Sequence, residues 1–193
     1  MNWCGATDMD RKTIVFLTGI FTVLGLASFL VDEPVVDLLS NLRFSVFSEV
    51  MKFLTNKLVV GLIAILVPIL VLWVKNEKKW ILPLVISVLS AVVLTYGFKA
   101  VFMRPRPTIA LITVGSYSFP SGHAATVFSV IPVIEEKLGK FKWFWIGFAC
   151  LIAFTRLYLG VHYLSDVIFG GLLGYLVGWI LIHEGLERWK AWK

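Results

Sequence analysis

Long apolar runs separated by short polar loops follow one another along the whole chain. A helix needs about 20 mostly apolar residues to cross the hydrocarbon core of a bilayer, and four of the six runs reach or approach that length. The runs cover residues 13–31, 58–74, 80–102, 124–134, 143–159 and 167–182. This pattern predicts an all-α, polytopic membrane protein with a bundle of six transmembrane helices, in a single membrane-embedded domain that spans residues 1–193.

The fourth run is too short to cross a bilayer on its own. It holds 11 residues before Glu135 and Glu136, or about 16 Å of helix at 1.5 Å per residue. We therefore expect this helix to begin below the membrane surface. Neighbouring parts of the protein must then shield the polar groups at its start, because unpaired backbone groups are not tolerated in contact with lipid.

The segment between the first two runs, residues 32–57, mixes polar and apolar positions. Its apolar residues recur at helical spacing, and its polar residues fall largely elsewhere around the helix. The pattern predicts an amphipathic helix that lies in the outer membrane interface. A helix that packs across the top of the bundle fits the same pattern, and both alternatives stay open at this point.

Composition supports the membrane interpretation. Of the 193 residues, 59% are hydrophobic and 16% are charged, and the mean hydropathy is +0.87. A water-soluble domain of this size carries far more charge on its surface. The net charge of +6 does not indicate a nucleic-acid partner, because the basic residues are spread over short loops. The expected partners are the lipid bilayer and a membrane lipid substrate.

The distribution of basic residues predicts the orientation. With six spans, both termini and the second and fourth loops lie on one side, which carries 11 of the 18 lysine and arginine residues. The positive-inside rule therefore predicts a multi-pass plasma-membrane protein with cytoplasmic termini. Tryptophans at the span ends of that same side fit the role of interface anchors.

Three polar islands lie at span ends on the opposite, outer side. The first, residues 99–108, reads KAVFMRPRPT and ends the third apolar run. Lysine and arginine beside hydrocarbon are costly and usually functional, and the prolines hold Arg104 and Arg106 in a stiff, extended segment that suits anion binding. Basic side chains that reach the interface from a helix end, where prolines stop the helix, would explain the same pattern.

The second island, residues 118–126, reads SFPSGHAAT and leads into the short fourth run. Ser121 is well placed as the N-cap of a helix that starts at His123, and Gly122 lets the backbone approach closely. A helix N-terminus presents free N–H groups and partial positive charge, so it can bind phosphate. Taken alone, the island is equally explained as a capped helix start with an incidental histidine.

The third island, residues 155–166, reads TRLYLGVHYLSD. Arg156 lies near the end of the fifth run, and Gly160 allows a turn. His162 and Asp166 are four residues apart and share one helix face, so Asp166 can reach the His162 ring or a backbone group beside it. A carboxylate on one ring nitrogen leaves the other nitrogen free for attack. A surface His and Asp pair on a helix is the alternative interpretation.

The three islands together are more informative than any one of them. All fall on one membrane face, at the ends of the third to sixth spans. Four cations there can neutralise a phosphate and the charge of its transition state, while one histidine serves as nucleophile and the other as acid. The cations are Lys99, Arg104, Arg106 and Arg156, and the histidines are His123 and His162.

These residues resemble the signatures of the integral-membrane type 2 phosphatidic acid phosphatase superfamily. The family patterns are K-x6-R-P, P-S-G-H and S-R-x5-H-x3-D, and their matches fall within residues 99–166. The matching residues are Lys99, Arg106 and Pro107 for the first pattern, 120–123 for the second, and Arg156, His162 and Asp166 for the third. Thr155 stands where the family usually has serine, which keeps the hydroxyl group and adds a methyl group.

The resemblance implies a role for each matched residue. His162 would attack phosphorus to form a phosphohistidine, with Asp166 orienting it, and His123 would protonate the leaving oxygen and then activate water. The groups that would hold the phosphoryl oxygens are Lys99, Arg106, Ser121, Gly122 and Arg156. Arg104 lies outside the core signature and is a further substrate-binding candidate. No cofactor and no metal ion are expected, because these span ends carry no Asp/Glu cluster of the kind that binds Mg²⁺.

The resulting hypothesis is a membrane phosphatase that acts on a lipid phosphate or lipid pyrophosphate at an outward-facing site in the outer leaflet. Candidate substrates are undecaprenyl or another polyprenyl pyrophosphate, phosphatidylglycerol phosphate and phosphatidic acid. A transporter that binds an anion in the same charged pocket is the alternative, although the polar residues cluster at one end of the bundle. The vanadate-dependent haloperoxidases share the anion site, but six apolar runs argue against those soluble proteins.

Overall fold

The computed structural model describes residues 11–185, and this part of the chain is helical and contains no strand. The helices are α1 (Arg11–Ser28), α2 (Asp32–Asn41), α3 (Ser45–Leu54), α4 (Lys57–Val74), α5 (Ile81–Phe102), α6 (Gly122–Ser129), α7 (Ile131–Leu138), α8 (Phe141–Tyr158) and α9 (Leu164–Ile180). The predicted all-α class is confirmed. Part of the orientation argument lies outside the described residues, namely Arg188, Trp189, Lys190, Trp192 and Lys193.

Four helical segments of the described chain are long and apolar enough to cross a membrane. They are Arg11–Asn41, Lys57–Val74, Lys78–Phe102 and Leu164–His183. Their outer faces remain apolar: Leu62, Leu66 and Leu70 lie one turn apart on α4, and each is more than half exposed. Because a continuous apolar exterior of this kind requires lipid around it, the chain is a polytopic membrane protein.

The short fourth run forms two helices, α6 and α7, which are separated at Val130. Pro132 accounts for the break, because proline lacks the N–H that would bond to the preceding turn. A neighbouring helix satisfies a carbonyl at this point, since Ser87 Oγ of α5 donates to Ser129 O at 2.7 Å. Ser121, at the start of α6, is fully buried in the protein, as expected for a helix that begins inside the bundle.

Three glycines one turn apart on α9 face the backbone of α6. The glycines are Gly170, Gly174 and Gly178. A methyl group on any of them would collide with main-chain atoms of α6, at Ser121, Ala125 and Ser129 respectively. Small residues at this spacing let two helix backbones approach closely. The α6–α9 contact is therefore the central packing contact of the bundle, and α5 and α8 pack against α6 around it.

Residues 32–57 form two helices, α2 and α3, where the sequence pattern predicts one. The chain leaves the helical path at Arg43 and Phe44, and Phe44 is extended, with φ −140° and ψ 153°. Arg43 Nε donates to Tyr158 O at 2.9 Å, and its Nη1 donates to Ile109 O at 2.7 Å. The expectation of a single helix is thus corrected, because these long-range hydrogen bonds stabilise a bend that periodicity does not reveal.

The glycine contact predicts opposite effects for the same substitution at two positions. Gly174→Ala should lower the free energy of unfolding by about 1–3 kcal/mol, because the backbone of α6 must move away. Gly147→Ala on α8 is the matched control: beyond its own stretch of helix, no atom of the described residues lies within 4 Å of the position that a Cβ would take. Better helix propensity should therefore stabilise this variant by up to about 1 kcal/mol. Thermal unfolding in detergent measures both, and a Gly174→Ala protein as stable as wild type would contradict the close α6–α9 contact.

Candidate active site

A cavity of about 290 Å³ lies where α5 ends and α6 begins. Residues of α4, α5 and α6, the end of α8 and the loops before α6 and α9 line it. Its polar lining includes both predicted catalytic histidines and three of the four predicted cations. These residues, with the predicted glycine, are Lys99, Arg106, Gly122, His123, Arg156 and His162. The three polar islands of the sequence therefore meet at one cavity.

His162 lies in the loop before α9, between a carboxylate and a guanidinium. Its Nδ1 is 3.3 Å from Asp166 Oδ2, and its Nε2 is 3.2 Å from Arg106 Nη1. Because a guanidinium can only donate, Nε2 is the unprotonated nitrogen, and Nδ1–H donates to Asp166. This tautomer leaves the nucleophilic lone pair on Nε2.

Asp166 belongs to the third island and is hydrogen-bonded to the second. Its Oδ2 accepts a hydrogen bond from Tyr163 N at 3.0 Å, which caps α9. Its main-chain oxygen accepts a hydrogen bond from Ser121 N at 2.9 Å. Asp166, which is fully buried, therefore contacts both the His162 ring and a nearby backbone group. The predicted shared helix face is wrong, because α9 begins at Leu164 and leaves His162 in the loop before it.

Positive charge surrounds the His162 ring. Burial, and after it the charges of neighbouring guanidinium and ammonium groups, hold the pKa of the His162 imidazole well below its ordinary value of 6.5. The neighbouring groups belong to Arg156, Arg106 and Lys99. The ring is therefore neutral at neutral pH, which is the state that a nucleophile requires.

Lys99 and Arg106 also hold the loop that leads into α6. Lys99 Nζ donates to Tyr117 O at 2.5 Å and to Ser118 O at 3.0 Å. Arg106 Nε donates to Ser116 O at 2.7 Å. Backbone carbonyls thus accept some of the hydrogen bonds that each cation can donate, while both side chains line the cavity.

The start of α6 places Ser121, Gly122 and His123 at the site. Ser121 is the N-cap, and the helix begins at Gly122, one residue earlier than the sequence predicts. The Ser121 side chain makes no capping bond, and its Oγ is buried without a hydrogen-bond partner among the described residues. His123 Nε2 lies 2.9 Å from Thr55 O.

Arg156 is 2% exposed and is the most buried cation of the cavity. Its Nη1 donates to Thr55 Oγ1, while its Nε has no hydrogen-bond partner in the described part of the chain. Thr155, which stands where the family pattern has serine, donates its hydroxyl to Ile152 O at 2.6 Å. The Thr155 hydroxyl is therefore bonded within its own helix.

Arg104 lies beside the cavity and bonds to acidic residues of the protein itself. Its Nη1 donates to Ser165 Oγ at 2.7 Å and to Asp166 Oδ1 at 2.8 Å. Its Nη2 donates to Asp32 Oδ2 at 2.8 Å. Asp166 therefore faces His162 with one oxygen and Arg104 with the other. The substrate contact expected from the sequence for Arg104 stays a prediction.

Three residues outside the predicted set also belong to the site or to its support. Asp32 accepts hydrogen bonds from the main chain and hydroxyl of Ser165, in the first turn of α9. Thr55 bonds to two site residues, and Lys57 lines the cavity. Asp32 and Lys57 stand at the edges of apolar runs, where a charged residue is a usable signal. Nothing in the sequence pattern distinguishes Thr55.

A helical membrane bundle that brings two histidines and several cations to one cavity, with a buried aspartate bonded to one histidine, is the arrangement expected of an integral-membrane phosphatase. The chain belongs to the PAP2 superfamily, whose family model matches residues 80–190. That range contains all three polar islands. The resemblance stated for the sequence motifs is therefore confirmed.

Relatives of known structure or activity agree with this membership. A transmembrane PAP2 type phosphatidylglycerolphosphate phosphatase from Bacillus subtilis superimposes with a TM-score of 0.70 at 26% identity, over 91% of this chain and 96% of the other. Undecaprenyl-diphosphatase BcrC of Bacillus subtilis is 25% identical over 142 residues, 70% of this chain and 74% of the relative. The undecaprenyl-diphosphatase of Sulfolobus acidocaldarius is 37% identical over 123 residues, 58% of this chain and 59% of the relative. All three are lipid phosphatases, and the predicted enzyme class is confirmed.

The contact between His162 and Asp166 predicts a selective loss of turnover in Asp166→Asn. The amide cannot stabilise positive charge on the ring, so kcat should fall at least about 100-fold while KM for a lipid phosphate changes little. Asp37→Asn, which alters an exposed acid of α2, is the matched control and should behave as wild type. Steady-state phosphate release measures both, and a raised KM with unchanged kcat would contradict the orienting role.

Proposed function

We propose that the protein removes phosphate from a lipid phosphate or lipid pyrophosphate through a phosphohistidine intermediate, without a metal ion. The observation that carries this proposal is that both histidines line one cavity with Lys99, Arg106 and Arg156. Candidate substrates are a polyprenyl pyrophosphate, phosphatidylglycerol phosphate and phosphatidic acid. The activities of the relatives named above support the first two.

In the first half of the reaction, Nε2 of His162 attacks phosphorus, and the bond from phosphorus to the leaving oxygen breaks. The electron pair of that bond stays on the leaving oxygen, which takes a proton from His123. Asp166 holds Nδ1–H of His162 and stabilises the charge that develops on the ring. The products are a phosphohistidine and either the lipid alcohol or, from a pyrophosphate, the lipid monophosphate.

In the second half of the reaction, water attacks the phosphorus of the phosphohistidine. His123 accepts a proton from the water, while the bond between phosphorus and Nε2 of His162 breaks. Its electron pair returns to Nε2, and phosphate leaves. Both rings then have the protonation states with which the cycle began.

The cations of the cavity stabilise the charge on the transferred phosphoryl group. Donors held in place before the reaction are more effective than water, because they need no reorientation as charge develops. Two buried donors, Ser121 Oγ and Arg156 Nε, have no hydrogen-bond partner within the described residues. Phosphoryl oxygens are acceptors of the kind that such donors need.

Part of the cavity wall is apolar and suits a lipid. This part belongs to α4 and α5 and includes Val60, Ile65, Val88, Leu89 and Val92. Leu89 in this wall is 57% exposed. We infer that the head group enters between α4 and α5 while its chains remain in the bilayer.

The proposed arrangement in the membrane has six crossings. Helices α1, α4, α5 and α9 supply four of them, α8 supplies another, and α6 with α7 supplies the sixth. Residues 122–138 of that pair amount to about 25 Å of helix, which is shorter than a full span. Helices α2 and α3 lie in the outer interface, where Leu38, Val46 and Phe53 expose their side chains. The site then faces outward, and the termini are cytoplasmic.

The direct test is phosphate release from purified lipid phosphates and pyrophosphates by the full chain in detergent. Wild type should release phosphate from at least one of them, orthovanadate should inhibit it as a mimic of five-coordinate phosphorus, and His162→Ala should abolish release. His183→Ala is the matched control, because that ring stacks on Trp179 at the far end of α9. A carrier would keep some anion transport in His162→Ala, and that result would replace the enzyme proposal.

Metal independence gives a separate prediction. Because lysine and arginine side chains neutralise the phosphoryl group in this proposal, turnover should persist in excess EDTA. Phosphate release before and after chelation, with and without added Mg²⁺, measures this. Activity that EDTA removes and Mg²⁺ restores would contradict the proposed charge stabilisation.

A further inference from the structure

The turn between α3 and α4 lies outside all three sequence signatures, yet it contacts two groups of the active site. Thr55 and Asn56 form this turn. Asn56 Oδ1 accepts a hydrogen bond from Leu58 N at 2.9 Å and so caps α4. Thr55 N donates to Met51 O at 3.1 Å, which attaches the turn to the end of α3. Both ends of the turn are therefore held by helices.

Thr55 uses two different oxygens to reach two different site residues. Its main-chain oxygen lies 2.9 Å from His123 Nε2. Its hydroxyl oxygen accepts a hydrogen bond from Arg156 Nη1. Thr55 is 4% exposed, so water does not compete freely for these bonds, and their geometry is more restrictive than at a surface.

The carbonyl bond determines which nitrogen of His123 is available for proton transfer. A carbonyl oxygen can only accept, so Nε2 of His123 carries the hydrogen of this bond. Nδ1 is then the nitrogen that exchanges a proton with the leaving oxygen or with water. The Thr55 carbonyl has the same relation to His123 that the Asp166 carboxylate has to His162: it orients the ring and selects the tautomer.

The hydroxyl bond restrains the guanidinium of Arg156. Arg156 is held at Nη1 by Thr55, while Nε has no partner among the described residues. A buried arginine side chain with one fixed end presents its remaining donors in a defined direction. Removal of the hydroxyl would leave a second buried donor of Arg156 without an acceptor.

We propose that Thr55 is a positioning residue that holds His123 and Arg156 in their reactive arrangement around the phosphoryl group. This inference rests on the proposed function, because it assigns to both residues the roles given above. Thr55 itself does not touch the reacting atoms. It acts through the side chains to which it is bonded.

The test compares Thr55→Val, which keeps the shape and the carbonyl but removes the hydroxyl, with Thr55→Ser, which keeps both oxygens. In Thr55→Val, kcat should fall about tenfold or more, and the dissociation constant of orthovanadate should rise by a similar factor. Thr55→Ser should stay within about threefold of wild type in both quantities. Phosphate release and isothermal titration calorimetry with orthovanadate on the folded, detergent-solubilised full chain supply the two measurements.

Ser87→Ala is the matched control for the loss of a buried hydroxyl bonded across helices. Its Oγ donates to Ser129 O, at the end of α6 away from the cavity, so it should lower the melting temperature without changing vanadate affinity. If Thr55→Val behaves in the same way as Ser87→Ala, Thr55 has a merely structural role and the proposal is wrong. If Thr55→Ser loses as much vanadate affinity as Thr55→Val, the hydroxyl is not the relevant group and the proposal is equally wrong.

Two further variants complete the test. Thr55→Ala replaces Thr55→Val if the latter is not recovered folded, with the same expected losses. In the Arg156→Lys background, Thr55→Val should add little further loss of vanadate affinity, because the two residues act together. If the double variant instead loses as much binding free energy for vanadate as the two single variants combined, the proposal is wrong. If wild type releases phosphate from no lipid phosphate, the proposed function fails, while vanadate binding still decides whether Thr55 organises the anion site.

Discussion

The close contact between the α6 backbone and the glycines of α9 is the constraint on which the site depends. Because Gly174 and the glycines one turn away have no side chains, the main chain of α6 lies directly against α9. Ser121 N can then donate to Asp166 O at 2.9 Å. His123 follows Ser121 by two positions, and His162 precedes Asp166 by four positions. The separation of the two histidines is therefore set by main-chain contacts, which are less variable than side-chain conformations.

The buried ionic groups are arranged so that positive charge remains at the cavity. Arg104 bridges the carboxylates of Asp32 and Asp166 at 2.8 Å each, so the charge of these acids is compensated by a residue other than those that line the cavity. Lys99 and Arg156 instead meet carbonyl and hydroxyl oxygens. Neutral acceptors satisfy the hydrogen bonds of a cation but leave its charge uncompensated. The charge of these cations therefore stays available to an anion in the cavity, even though two acids lie nearby.

Sequence patterns predicted the features that depend on residues close together in the chain. The four-residue spacing of His162 and Asp166 predicted their contact, which the structure has at 3.3 Å, although His162 lies in the loop before α9 and not on the predicted helix face. Composition likewise predicted a helical membrane protein. The bend after α2 was not predictable, because it depends on Arg43 reaching carbonyls far away in the chain. No sequence pattern indicated Thr55 either, because it contributes a carbonyl and a hydroxyl from a turn 68 positions before His123.

A lipid phosphatase must hold a charged head group and an apolar chain at the same depth, and the short fourth run makes this possible. Because α6 begins at Gly122 inside the bundle, its unpaired N–H groups face protein and the cavity instead of lipid. Lys99 and Arg106 reach that depth from a helix end and a loop, where carbonyls hold them. The wall made by α4 and α5 remains apolar. A fourth helix long enough for a full span would carry His123 toward the membrane surface, away from that wall, and the head group would then have to leave the bilayer to react.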